Sequence, residues 1–97
     1  MERLYDETER CQVRFVGLLT EKARYDFCIV STHQFFGKPL VICTQTGRSS
    51  LLSAEDAANI EHLKQVYQIA DDEEAEEVSF FFRTVLPTIP IYEQYSD

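Results

Sequence analysis

Cys28, His33, Cys43 and His62 carry atoms of the right type to hold zinc. Thiolate sulfur and imidazole nitrogen are ligands zinc favours, but structural zinc sites draw them from close Cys or His pairs on tight knuckles. Here the ligands are separated by four, nine and eighteen residues, no CxxC occurs, and both cysteines fall within apolar runs. The spacing predicts core thiols, no metal and no cofactor. The same cysteines and histidines could support nucleophilic catalysis, yet no local signature sets one against another, and neither G-x-S-x-G nor a helix-borne metal motif is present. No catalytic residue is expected, which places an enzyme behind binding functions.

The stretch "STHQFFGKPL", residues 31 to 40, poses a different question. Gly37 and Pro39 punctuate a turn between two strands. Phe35 and Phe36 are adjacent, so on extended chain one faces the core and the other faces away. Either the C-terminal tail or a helix covers the outward ring, or the ring belongs to an aromatic patch for a partner. His33 and Lys38 would add polar contacts to such a patch, with Tyr25 and Tyr92 as further aromatic candidates. The loop lacks the glycine density of a phosphate cradle.

Charge narrows the partners. The formal net charge is −8, unevenly spread. Residues 1–53 hold seven Lys and Arg against six Asp and Glu, whereas residues 54–97 hold two against eleven, so the halves carry +1 and −9. An acidic chain without a basic cluster is repelled by nucleic acid and by anionic membranes, so neither is an expected partner. The run "DDEEAEE", residues 71 to 77, reads first as carboxylates favouring the positive end of a helix. Calcium-loop spacing is absent from it.

The apolar fraction of 44% is too high for a disordered chain and ordinary for one folded domain. Apolar runs are far shorter than the ~20 residues that cross a bilayer. The charged start "MERLYDETER" lacks the apolar core of a signal peptide, and three cysteines form an odd set, so a reducing, cytoplasmic setting is expected.

These residues need elements to hold them, and the hydrophobic period changes near Ser53, from 2 upstream to 3.6 downstream. "CQVRFVGLL" and "ARYDFCIVST" read as a hairpin closed by a three-residue loop at Thr20–Lys22. That register sets Phe15 opposite Phe27, Val13 opposite Ile29 and Tyr25 across Gly17, on the core face. Arg14 would then lie opposite Cys28, and Val16 opposite Asp26. "LVICTQ" follows Pro39 as a third strand, and "SSLLS" returns after the turn at "QTGR" as a fourth. Ser53 with Asp56 predicts a helix cap, and Ile60, Leu63, Val66 and Tyr67 give that helix its apolar face, with a possible break at Asn59. Asp71 with Glu74 predicts a second cap, ahead of Ala75, Val78, Phe81, Phe82 and Val85.

The expected fold is therefore α+β. A four-stranded antiparallel sheet over residues 11–53 is followed by helices at 54–69 and 72–86 packed on one face. Residues 1–10 form a leading segment and 87–97 a tail. Ile89, Ile91, Tyr92 and Tyr95 of that tail either fold back over the sheet or reach a second subunit.

With "RFVGLL", "YDFCIV", "FFGK" and "QTGRSSLL" ahead of an acidic two-helix half, most of the chain resembles a family of small uncharacterised cytosolic proteins of Firmicutes, grouped as a domain of unknown function. The resemblance implies a compact α+β domain and a cytoplasmic address. It brings no activity, substrate or catalytic residue. The tail from Pro87 onward lies outside the shared pattern.

On the sheet's second face the predicted register leaves Arg14, Val16, Leu18, Val30 and Cys43 or its neighbours, too apolar a set to be comfortably solvated. The leading expectation is a non-enzymatic interaction or regulatory module, self-associating as a homodimer or binding a protein partner. The alternative is a small-molecule-binding domain using the His33, Phe35, Phe36 and Tyr25 neighbourhood.

Overall fold

The computed structural model describes residues 1–87. Four strands form one antiparallel meander in sequence order: β1 (Gln12–Leu19), β2 (Arg24–Ser31), β3 (Leu40–Cys43) and β4 (Ser49–Leu51). Three helices follow: α1 (Ala54–Ala57), α2 (Ile60–Tyr67) and α3 (Asp72–Val85), all on one sheet face. The α+β architecture is as the periodicity predicts. No helix among the described residues is long and apolar enough to cross a membrane.

The β1–β2 register differs from the expected one. Leu19 pairs with Arg24, Val16 with Phe27, Phe15 with Cys28 and Arg14 with Ile29. The connection is thus four residues long, because Thr20 belongs to the turn. Its hydroxyl accepts the amides of Lys22 (3.2 Å) and Ala23 (3.0 Å) and lies 2.5 Å from a Glu74 carboxylate oxygen. A one-residue slip turns every β1 side chain over. Val16 and Leu18 therefore join Phe27 and Ile29 on the helix side, while Val13, Phe15 and Leu19 face out. Arg14 also lies on the helix side without being buried. At the sheet margin its guanidinium donates to the Val85 carbonyl at 3.0 Å, where the end of α3 favours a cation.

The core lies between this sheet face and the helices. Phe27, Ile29 and Val41 meet Leu52, Leu63, Val78 and Phe82, all buried. Phe27 and Phe82 pack edge to face with centroids 4.7 Å apart, and Tyr67 closes on Phe27 at 5.6 Å. The Tyr67 hydroxyl donates to the Val41 carbonyl at 2.8 Å, so its polar end is satisfied inside the core.

Helix starts follow the capping residues. Ser53 and Asp56 form a reciprocal capping box on α1. The span expected as one helix at 54–69 is divided at Ala58–Asn59, since Asn59 accepts the His62 amide and starts α2 afresh. Asp71 caps α3 by accepting the Glu73 amide, which frees Glu74 to turn inward. Tyr25 adds a hydroxyl bond to the same Glu74 oxygen at 3.1 Å, and Lys22 pairs with Asp71. The hairpin turn is thereby tied to the first turn of α3.

Candidate functional site

The structure disperses the four metal-ligand types. Cys43 is buried on the helix side of β3, and Cys28 is half-buried on the opposite sheet face. His33 is exposed in the β2–β3 loop, and His62 belongs to α2. His62 does meet a hydroxyl that the spacing gave no reason to expect: its Nε2 lies 3.2 Å from Ser50 Oγ, across the β4–α2 junction. No group is bonded to His62 Nδ1 among the described residues. The pair joins two elements.

Of the aromatic-loop candidates, the structure brings three together. His33, Phe35 and Phe36 line an open concavity of about 590 Å³ with Thr32, Gln34 and Gly37. Phe35, Phe36 and Gly37 have φ of 59°, 56° and 84°, three successive left-handed residues. That conformation is ordinary for glycine and costs roughly 1–3 kcal/mol for each bulkier residue. The leading segment props the loop: Glu9 accepts the Thr32 hydroxyl at 2.7 Å and the His33 amide at 3.1 Å. Those bonds, the Thr32 one foremost, hold the Glu9 carboxyl below its usual range.

The other candidates lie elsewhere. Lys38 turns to α1 and pairs with Asp56 at 2.8 Å. Partial burial pushes the Asp56 carboxyl up, but Lys38 and Ser53 outweigh it and leave the group below its usual range. Tyr25 stands at the far end of β2, stacked on Phe27, and burial together with Glu74 pushes its phenol up to about 12. Tyr92 is outside the described residues.

A further unusual surface is the sheet face away from the helices. The expected apolar second face exists, but its residues are different. Arg14, Val16, Leu18 and Cys43 are on the helix side, and of the expected set only Val30 faces outward. Two cross-strand rows build the face. One is Val13–Val30–Leu40–Leu51 and the other Phe15–Cys28–Ile42–Ser49, with Leu19 beyond them. No described element covers it. Phe15 and Leu19 are 77% and 79% exposed. Its charges, Arg24 and Asp26, pair with each other at 3.1 Å. The excess of acid is carried by the helical half instead.

No curated protein matches this chain. A family model does, over residues 4–84, which include the whole sheet and nearly all of the helical layer and stop short of Pro87. On that match the chain belongs to the SAV0927-like family.

Proposed function

We propose that the chain is a non-catalytic interaction module that self-associates through the open face of its sheet. The supporting observation is the double apolar row, with Phe15 in it and Leu19 beside it each about three-quarters exposed. Contiguous apolar surface of this kind is rare on monomers and marks association sites. A second copy suits it better than a charged partner. The face is electrically balanced, whereas the helix layer is acidic and would repel its own kind. The three thiols are unbridged, which suits a reducing compartment, and we place the module in the cytoplasm.

Sedimentation velocity on the full chain tests this reading. A concentration-dependent dimer is expected, and Phe15→Asp should return it to monomer with an unchanged circular dichroism spectrum. A wild-type monomer at every concentration, or a dimer untouched by Phe15→Asp and by Ile42→Asp, would overturn it.

The left-handed Phe35–Phe36 pair supports a second reading, a small-molecule site in the concavity beside His33. Native mass spectrometry of the protein from its own host tests it. A bound mass lost in Phe35→Ala favours this reading, and a clean spectrum removes it.

A further inference from the structure

The outer edge of β1 is a different surface from the open face. The Thr20 amide donates to the Ala23 carbonyl at 2.9 Å, which makes that pair a bonded one just beyond the last β1–β2 pair, Leu19 with Arg24. The Asp26 carbonyl instead accepts from Thr44 of the neighbouring connection at 2.8 Å, so Asp26 points its backbone away from β1. Both observations fix the same alternation, and it turns the N–H and C=O groups of Val13, Phe15, Gly17 and Leu19 outward. Edge strands are usually blunted by prolines, bulges or free charges. β1 has neither proline nor bulge, and its one charge, Arg14, is bonded to Val85.

Beside this edge runs a groove of about 570 Å³ between Leu18 and α3. Phe80, 65% exposed, and Phe81 form its apolar floor. Glu73, Glu76 and Glu77 form its wall, and none of the three has an ion-pair partner among the described residues. Along α3 the stripe from Glu73 to Thr84 spans roughly 16 Å at the helical rise, which matches about five residues of extended chain. The stripe has a direction. Its acidic end lies near the Thr20 turn, because neighbouring Glu74 bonds Thr20, and its apolar end lies toward Arg14, which bonds Val85.

We propose that the β1 edge and this groove take an extended segment of another protein as a fifth strand. The segment runs antiparallel to β1, with basic residues first and large apolar residues after them at alternate positions. Main-chain bonds to the edge supply affinity, and the side chains over α3 supply selectivity. This site lies outside the open face and stands whether or not that face self-associates.

The probe is a fluorescein-labelled octapeptide in which threonine alternates with lysine, arginine, leucine and phenylalanine, in that order. It is titrated into the full-length chain by anisotropy, with hydrogen exchange read residue by residue. Saturable binding is expected, with slowed exchange at Val13, Phe15, Gly17 and Leu19. Glu76→Lys combined with Glu77→Lys should weaken it by about tenfold or more, and N-methylation of the peptide's pairing amides should abolish it. Absence of saturable binding overturns the proposal. So does binding that survives N-methylation or leaves those amides unprotected, since that is adsorption to an acidic surface. Edge amides protected in the free chain also overturn it. Protection lost on dilution would assign the edge to a second copy, and protection independent of concentration would assign it to the chain's own residues.

Discussion

The two faces of this sheet are made by the same four strands and are nearly equally apolar, yet they have opposite fates. On one, Phe27, Ile29 and Val41 are sealed by Leu63, Val78 and Phe82; on the other, Val13, Phe15 and Leu19 stand in the open. Composition alone does not separate them. The separation comes from what the helices bring, namely an aromatic cluster around Phe82 and two polar anchors at the ends of α3. An apolar face becomes a core only when something shaped to it arrives.

The sharpest test of that contrast exchanges the same side chain on each face. Phe82→Ala or Phe27→Ala should cost roughly 3–5 kcal/mol, read from the denaturant midpoint, through lost burial and a cavity. Phe15→Ala should change the stability of the monomer by no more than about 0.5 kcal/mol while weakening self-association. Equal costs on both faces would show that the open face is buried in solution.

The anchor at the start of α3 comes next in size. Glu74→Ala leaves the Thr20 and Tyr25 hydroxyls without their common partner and should cost about 1–3 kcal/mol. A smaller loss, about 1 kcal/mol, is expected for Ser53→Ala, because the α1 cap is removed with little change in packing.

The effect of alkali is absent at neutral pH and grows only above the ordinary tyrosine value. Burial raises the phenols of Tyr25 and Tyr67 from 10.0, Tyr25 to about 12. The folded state therefore binds these protons more tightly than the unfolded chain. Their contribution is complete below pH 10 and is lost as the pH rises from there through the folded values. A pH titration of the unfolding midpoint should fall over that window, and Tyr67→Phe should flatten it.

Much of this fold was legible because its signals are local. Pro39 opening a strand, the turn at Gly47, the Ser53–Asp56 box and the Asp71 cap each act within a few residues. The β1 face was not legible, because it depends on partners far along the chain. Thr20 enters the turn by meeting Glu74, and Arg14 escapes burial by reaching Val85. The expected register kept Arg14 out of the core by turning the whole strand over, when a flexible side chain at the margin was enough. Of the residues expected on the second sheet face only Val30 lies there, and no element among the described residues covers that face. Of the aromatic-corner candidates, His33, Phe35 and Phe36 stayed together, whereas Lys38, only two residues further on, turned to α1 and Tyr25 to α3. The Ser50–His62 pair had no sequence signal.

The position of α3 at the end of the fold also matters while the protein is being made. The hairpin can form once Ser31 has left the ribosome, but the helix that seals Phe27 is complete only with Val85. At ordinary elongation rates residues 54–85 take roughly 2–6 s to add, far longer than a hairpin needs to close. For that interval the nascent sheet presents both apolar faces and an unpaired β1 edge together. Ribosome-bound chains ending before α3 should therefore be the form of this protein most dependent on a chaperone.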